Sequence, residues 1–196
     1  MERTTHSYSV WAIPPDEVSI RIKKVMEGLR DDFGGPEIEP HIPIVGSIRK
    51  GQDDVLRRFA SLRSRVVSAY KATVTQVVFR NSYYQCVSLL MNSSFSCQDE
   101  DVNEVLHFLT SLFSGDIFGF HNRVRPHLSL FLGYLSEEEK KRAEEKINIL
   151  DDSITSMSFP ITRFALYRID YKDKTLKSWE KIAEFPLLIE PGDTCI

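Results

Sequence analysis

Two short segments of the sequence share one pattern, and they contain the residues best suited to chemistry. The pattern is Pro-His-φ-x-φ, where φ is an apolar residue, and it occurs as Pro40-His41-Ile42-Pro43-Ile44 and as Pro126-His127-Leu128-Ser129-Leu130. Each segment begins a predicted strand, and alternate residues of a strand share a face. In each segment, the histidine and the residue two positions later therefore point the same way, while the apolar residues point toward the core.

A pair of histidines can supply both proton transfers of a hydrolysis. Histidine titrates near pH 6.5, so one ring can be neutral while the other is protonated. The neutral ring takes a proton from water, and the protonated ring gives one to a leaving oxygen. In-line displacement at phosphorus needs these two groups on opposite sides of the phosphoryl group. If the two halves of the chain pair about a pseudo-two-fold axis, His41 and His127 face each other in this way. Ser129 is then placed to donate a hydrogen bond to an equatorial oxygen.

Other interpretations of the two histidines remain open on the pattern alone. A single histidine at the start of a strand is usually structural. A zinc site needs about four ligands, and no cysteine or carboxylate stands at suitable spacing beside either histidine. His6, His107 and His121 lie in a terminal segment, a predicted helix and a predicted loop, and we expect them at the surface.

Composition excludes several classes of protein. The chain has 196 residues, 42% of them hydrophobic, which is typical of a globular protein. Its 25 basic and 28 acidic residues give a net charge of −3, which argues against a protein that coats long nucleic acids. No apolar run approaches the ~18 residues of a membrane span, and the polar first ten residues lack a signal core. Three cysteines without CxxC spacing favour a reducing cytoplasm.

Hydrophobic periodicity predicts alternating strands and helices. Strands are predicted at residues 8–14, 41–48, 72–79, 84–91, 127–135, 158–169 and 179–187, and helices at 22–33, 53–68, 102–113 and from Ser136, where a Ser136–Glu139 capping box is expected. Residues 80–82 suggest a hairpin, and the charged segment 170–177 a turn. Hairpins within the alternation favour an α+β fold with antiparallel sheets. No long linker interrupts the sequence, so residues 1–196 are predicted to form one domain.

The complete set of motifs resembles the two-histidine phosphoesterase superfamily, which is defined by two H-φ-[ST]-φ motifs. The chain is most similar to the plant cyclic phosphodiesterases within it, and the resemblance covers nearly the whole sequence. Besides the two histidine motifs, the matching segments are Tyr8-Ser9-Val10-Trp11-Ala12, Tyr84-Gln85-Cys86-Val87, Leu135-Ser136-Glu137-Glu138-Glu139-Lys140 and Asp173-Lys174-Thr175-Leu176.

The resemblance implies a fold and an activity. It implies a bilobal α+β fold, with two antiparallel sheets and flanking helices around a central cleft. It implies opening of ADP-ribose 1'',2''-cyclic phosphate, a by-product of tRNA splicing, to ADP-ribose 1''-phosphate, and of nucleoside 2',3'-cyclic phosphates to 2'-phosphates. The implied catalytic residues are His41 and His127, with Ser129 binding the phosphate and Trp11 and Tyr84 placed to stack on a base or ribose. We expect no metal, no cofactor and a monomer.

Two residues depart from the family pattern. Pro43 stands where the family has Thr or Ser, so one phosphate-binding hydroxyl is missing, and Leu132 stands where some relatives have Tyr. Pro43 keeps open a second hypothesis, a member that binds nucleotide without useful turnover. A third is an enzyme acting on the 2',3'-cyclic ends of RNA, and a purely structural module is a fourth. The sequence does not determine which histidine is the base; our working assignment is His127 as base and His41 as acid.

Overall fold

A computed structural model describes residues 6–64, 69–94, 109, 111–113 and 126–188 of the chain. Eight strands and three helices are assigned within these ranges. The strands are β1 (His6–Ala12), β2 (Ile42–Lys50), β3 (Tyr70–Phe79), β4 (Val87–Ser94), β5 (His127–Phe131), β6 (Ser158–Ile161), β7 (Arg163–Ile169) and β8 (Glu180–Pro186). The helices are α1 (Asp16–Phe33), α2 (Gln52–Ala60) and α3 (Glu137–Leu150).

The strands form two antiparallel sheets of four. Their orders are β2-β1-β7-β8 and β5-β4-β3-β6. Every strand pairing in the described part of the chain is antiparallel, including the β3–β4 hairpin. This confirms the α+β class predicted from the interrupted alternation of strands and helices. Buried residues of both sheets belong to one hydrophobic cluster, which also takes in the inner face of α1 through Ile22, Val25 and Leu29.

The two histidine motifs lie on edge strands that meet. β2 is one edge of the first sheet, β5 is one edge of the second sheet, and the two strands contact each other. The edge position also explains how β2 accepts Pro43, because proline lacks the N–H that a central strand donates to its neighbours. The sheets thus bring the two motifs together across the junction between them.

Local signals set the ends of the helices. Helix α1 ends at Gly34, whose φ of 75° suits glycine. Helix α3 begins with the predicted capping box: Ser136 Oγ accepts from the Glu139 N–H at 3.2 Å, and the Ser136 N–H donates to Glu139 Oε2 at 2.7 Å. Arg21 then ties α1 to the end of α3 through two hydrogen bonds to Asp151, at 2.6 and 2.7 Å.

Several predicted element boundaries were wrong. Strand β5 ends at Phe131 and not at 135, helix α2 ends at Ala60 and not at 68, and helix α1 starts at Asp16 and not at 22. The strand predicted at 158–169 is two strands, β6 and β7, which pair with β3 and β1 respectively, so the chain crosses between the sheets at Thr162. Tyr84 lies in a short 3₁₀ turn, Tyr83–Gln85, and not in a strand. The strand predicted to start at Trp179 starts one residue later, at Glu180. Most of the helix predicted at 102–113 lies outside the described residues.

Of the helices in the described ranges, none is both long and apolar enough to cross a membrane.

Candidate active site

His41 and His127 line one cleft between the two sheets. His41 immediately precedes β2, and His127 is the first residue of β5. Both side chains are almost completely buried, with 7% and 5% of their surface exposed, yet both border a cavity of about 200 Å³. Pro43 and Ser129, which follow the histidines by two residues, border the same cavity. In each motif, the histidine and the residue two positions later therefore face the same cavity, as the alternation of strand side chains predicts.

The imidazole of His41 is oriented by a backbone hydrogen bond. Its Nδ1 lies 2.7 Å from the carbonyl oxygen of Glu39. Because a carbonyl only accepts, Nδ1 carries the proton, and Nε2 of the neutral ring is left as an acceptor. Nε2 is then the atom through which His41 exchanges protons.

Burial determines the protonation state of His41 in the unliganded cleft. Burial lowers the pKa of His41 from 6.5 to about 4; the Glu39 hydrogen bond opposes this effect, and the charge of His127 adds to it. The imidazole is therefore neutral at pH 7, which is the form of a general base. A neutral His41 suits a base better than an acid, which is the opposite of our working assignment from the sequence.

Trp11 forms the centre of a stack of three rings. The centroid of its indole lies 3.6 Å from that of the His41 ring, and the two planes are inclined by 14°. For the Tyr167 ring, the centroid distance is 3.8 Å and the interplanar angle is 20°. If the His41 and Tyr167 rings lay on the same face of the indole, they would occupy the same space. They therefore cover its two opposite faces. Its Nε1 donates to Ser9 Oγ at 2.8 Å. A base can therefore stack on Trp11 only if one of these rings moves away, which corrects the open platform expected there.

Ser129 and Tyr84 are connected directly. The Ser129 hydroxyl donates to the backbone carbonyl of Tyr84 at 2.7 Å. The single proton of this hydroxyl is thus used within the protein, and it must turn from the carbonyl to reach a phosphoryl oxygen. A charge-assisted hydrogen bond to an anion is about twice as strong as a neutral one, so a bound phosphate would compete with the Tyr84 carbonyl for this proton.

A buried serine lies beside Ser129. Ser88 is its direct partner across the β4–β5 pair and is 1% exposed. Within the described part of the chain, its hydroxyl has no hydrogen-bond partner. No motif in the sequence distinguished Ser88 from the other serines.

Comparisons with known proteins decide the family. No family model matches the chain. The cyclic phosphodiesterase of Arabidopsis thaliana is 38% identical to it over 176 residues, which are 90% of this chain and 92% of that protein. The chain belongs to the cyclic phosphodiesterase family. It is accordingly an enzyme of the phosphodiesterase class.

Solved structures show that this cyclic phosphodiesterase has the expected fold. Escherichia coli LigT, solved in complex with 3'-AMP, has a TM-score of 0.60 at 9% identity, and the match covers 93% of this chain and 98% of LigT. The protein TT0787 of Thermus thermophilus has a TM-score of 0.58 at 13% identity, over 92% and 97% of the two chains. These likenesses confirm the two-sheet architecture.

Sequence reasoning missed two aromatic residues of the cyclic phosphodiesterase cleft. Tyr171 and Trp179 border the cavity together with Tyr84. Tyr84 and Trp179 are nearly parallel, at 21° with centroids 6.1 Å apart. Tyr171 lies inside the charged segment 170–177 that we interpreted as a solvated turn, and Trp179 follows that segment. An aromatic residue near each end of such a turn was the available signal. In the described ranges, no three His, Cys, Asp or Glu residues form a group that could hold a metal ion.

Proposed function

We propose that this enzyme opens cyclic phosphates by in-line attack of water, with the two histidines as its acid and base. One observation carries the proposal: imidazoles from two different sheets border a single cleft with Ser129. The family adds that the Arabidopsis relative is named a cyclic phosphodiesterase. The site residues proposed are His41 and His127 for catalysis, with Ser129 and Tyr84 contacting the substrate.

The proposed reaction moves one proton at each end of the phosphoryl group. His41 Nε2 takes a proton from water, and the water oxygen forms a bond to phosphorus. The bond from phosphorus to one ring oxygen breaks on the opposite side, and His127 protonates that oxygen. For a nucleoside 2',3'-cyclic phosphate the 3'-oxygen leaves, so the product is the 2'-phosphate.

We propose ADP-ribose 1'',2''-cyclic phosphate and nucleoside 2',3'-cyclic phosphates as substrates, which links the enzyme to by-products of tRNA splicing in the cytoplasm. Both carry a five-membered cyclic phosphate on a ribose, so the same attack opens both. The acidic net charge of −3 favours these small molecules over RNA ends. Pro43 supports the rival function, a binder with little turnover, because proline donates no hydrogen bond to the phosphoryl group.

A substrate panel tests the proposed function. Purified enzyme is incubated with ADP-ribose 1'',2''-cyclic phosphate, adenosine 2',3'-cyclic phosphate and a 2',3'-cyclic-ended oligonucleotide, and products are identified by phosphorus NMR. We expect turnover of the two small molecules, with the 2'-phosphate as the nucleoside product. Binding without turnover would favour the weakened binder, and turnover of the oligonucleotide alone would favour an RNA-end enzyme.

The pH dependence of kcat/KM follows from the roles of the two histidines. The profile should be bell-shaped, because the base must be neutral and the acid protonated. Since burial lowers the pKa of His41 to about 4, His41 stays neutral until the pH falls close to that value. We therefore expect the acidic limb below pH 6, and His41→Ala should abolish it. An acidic limb near pH 7, or a flat profile between pH 4 and 9, would contradict this assignment.

A further inference from the structure

A second groove lies beside the catalytic cleft. The groove has a volume of about 730 Å³ and shares Trp11 and Trp179 with the cleft. One wall is the 170–179 turn, which contributes Lys174, Thr175 and Lys177. A substrate whose cyclic phosphate lies between the histidines therefore has room to extend along this turn.

Lys174 is held at the junction of groove and cleft. Its Nζ donates to the Tyr84 hydroxyl at 3.0 Å and lies 4.3 Å and 4.6 Å from the ring centroids of Tyr84 and Tyr83. These contacts fix the ammonium group but leave its charge uncompensated. No carboxylate in the described part of the chain forms an ion pair with it.

The turn that carries Lys174 is ordered by its neighbour Asp173. The Asp173 carboxylate accepts hydrogen bonds from the N–H and the hydroxyl of Thr175 and from those of Ser178, at 2.6 to 2.9 Å. The hydrogen bonds from Thr175 and Ser178 hold the pKa of Asp173 well below its usual range. Trp179 Nε1 closes the turn by donating to the Asp170 carbonyl at 3.0 Å. The nearest acid of the turn is thus engaged with the backbone and hydroxyls, and Lys174 is held in a defined place.

Two glutamates also line the groove, Glu37 and Glu39. Glu39 pairs with Lys23 at 2.9 Å, so its charge is already matched. Glu37 is exposed to solvent. A second anionic group entering the groove finds its uncompensated cations only along the turn.

We propose that this groove is a second anion subsite, in which Lys174 binds a phosphate or diphosphate that the substrate carries beyond its cyclic phosphate. The inference rests on the proposed function and narrows it. The preferred substrates are cyclic phosphates with a second anionic group, and plain mononucleotides are bound less tightly. Lys174 is then a specificity-determining residue that acts on binding and leaves the proton transfers to the histidines.

The test compares two cyclic phosphates, of which only the first carries an anionic group beyond its cyclic phosphate. ADP-ribose 1'',2''-cyclic phosphate carries a diphosphate beyond the ring, and adenosine 2',3'-cyclic phosphate does not. For Lys174→Met we expect KM for the first substrate to rise about threefold to tenfold, with kcat little changed, as for loss of an exposed charged contact. For the second substrate we expect kcat/KM to change less than about twofold. The effect should shrink in high salt.

Two variants control this comparison. Lys174→Arg keeps the charge and should retain most of the affinity. Lys172→Met makes the same charge change in the same turn, at a residue that borders neither cavity, and should leave KM and kcat unchanged for both substrates.

An equal loss of kcat/KM for both substrates in Lys174→Met would overturn the subsite, because Lys174 would then act only by positioning Tyr84. No loss of kcat/KM for either substrate would overturn it as well. A wild-type enzyme that opens only the mononucleotide would refute the subsite alone, whereas one that opens neither would refute the proposed function itself.

Discussion

His41→Ala and His127→Ala should each lower kcat for opening of a nucleoside 2',3'-cyclic phosphate by at least about 100-fold, the lower range for loss of a general acid or base. The double variant should lose little more than the worse single variant, because the two groups act as one unit. His6→Ala is the matched control: His6 lies on β1 outside the cleft, and its replacement should leave kcat unchanged. Initial rates measured at saturating substrate decide the matter, and full activity of either single variant would eliminate the two-histidine mechanism.

Pro43→Thr should raise kcat/KM on a cyclic phosphate by at least about tenfold. Thr restores a hydroxyl beside His41 in the cleft, and a hydrogen bond to a charged group contributes about 1.5–3 kcal/mol. At about 1.36 kcal/mol per decade this is roughly a 10- to 150-fold effect, if the bond strengthens in the transition state. The backbone accepts the change, because Thr favours strands and Pro43 lies on an edge strand.

Pro43→Val separates the effect of adding a hydroxyl from the effect of removing the proline ring. Valine has nearly the shape of threonine but donates nothing, so it should leave kcat/KM near the wild-type value. An equal gain from Val and Thr would attribute the effect to packing. No gain from Thr would mean that Ser129 and backbone donors already suffice, and that the family departure at this position is neutral.

Ser129→Ala should lower kcat/KM by about tenfold, which is the lower end of the range for a hydrogen bond to a charged group. The reduction is modest because the hydroxyl gives up its hydrogen bond to the Tyr84 carbonyl when it turns to the phosphate. Ser129→Thr keeps the hydroxyl and should retain activity. An unchanged rate for Ser129→Ala would remove Ser129 from the site.

Local patterns predicted the parts of this fold that depend on neighbours in sequence. The Ser136 capping box, the β3–β4 hairpin and the strand face shared by His127 and Ser129 all follow from spacings of a few residues. The crossing at Thr162 was missed, because only pairing with two different sheets divides residues 158–169. Pro160 was an available signal, since proline suits an edge strand and β6 is one.

Features that depend on tertiary contacts were beyond prediction. The pKa of His41 follows from its burial and from the charge of His127, which is 86 residues away in the sequence. The stack on Trp11 needs Tyr167 on one face and His41 on the other, so the sequence showed an aromatic residue but not that both faces are covered. The charge of residues 170–177 indicated solvent exposure, and Lys174 is exposed, but the sequence did not indicate that the turn places Lys174 beside Tyr84.

The two imidazoles should open a cyclic phosphate without a metal ion, and an assay in the absence of metal tests this directly. Metal-stripped wild-type enzyme is assayed on adenosine 2',3'-cyclic phosphate in excess EDTA and again with added Mg²⁺ or Zn²⁺, beside His41→Ala under the same conditions. We expect the same wild-type rate of 2'-phosphate formation with and without metal, and a rate lower by at least about 100-fold in the variant under both conditions. A wild-type rate that vanishes in EDTA and returns with the metal would contradict it.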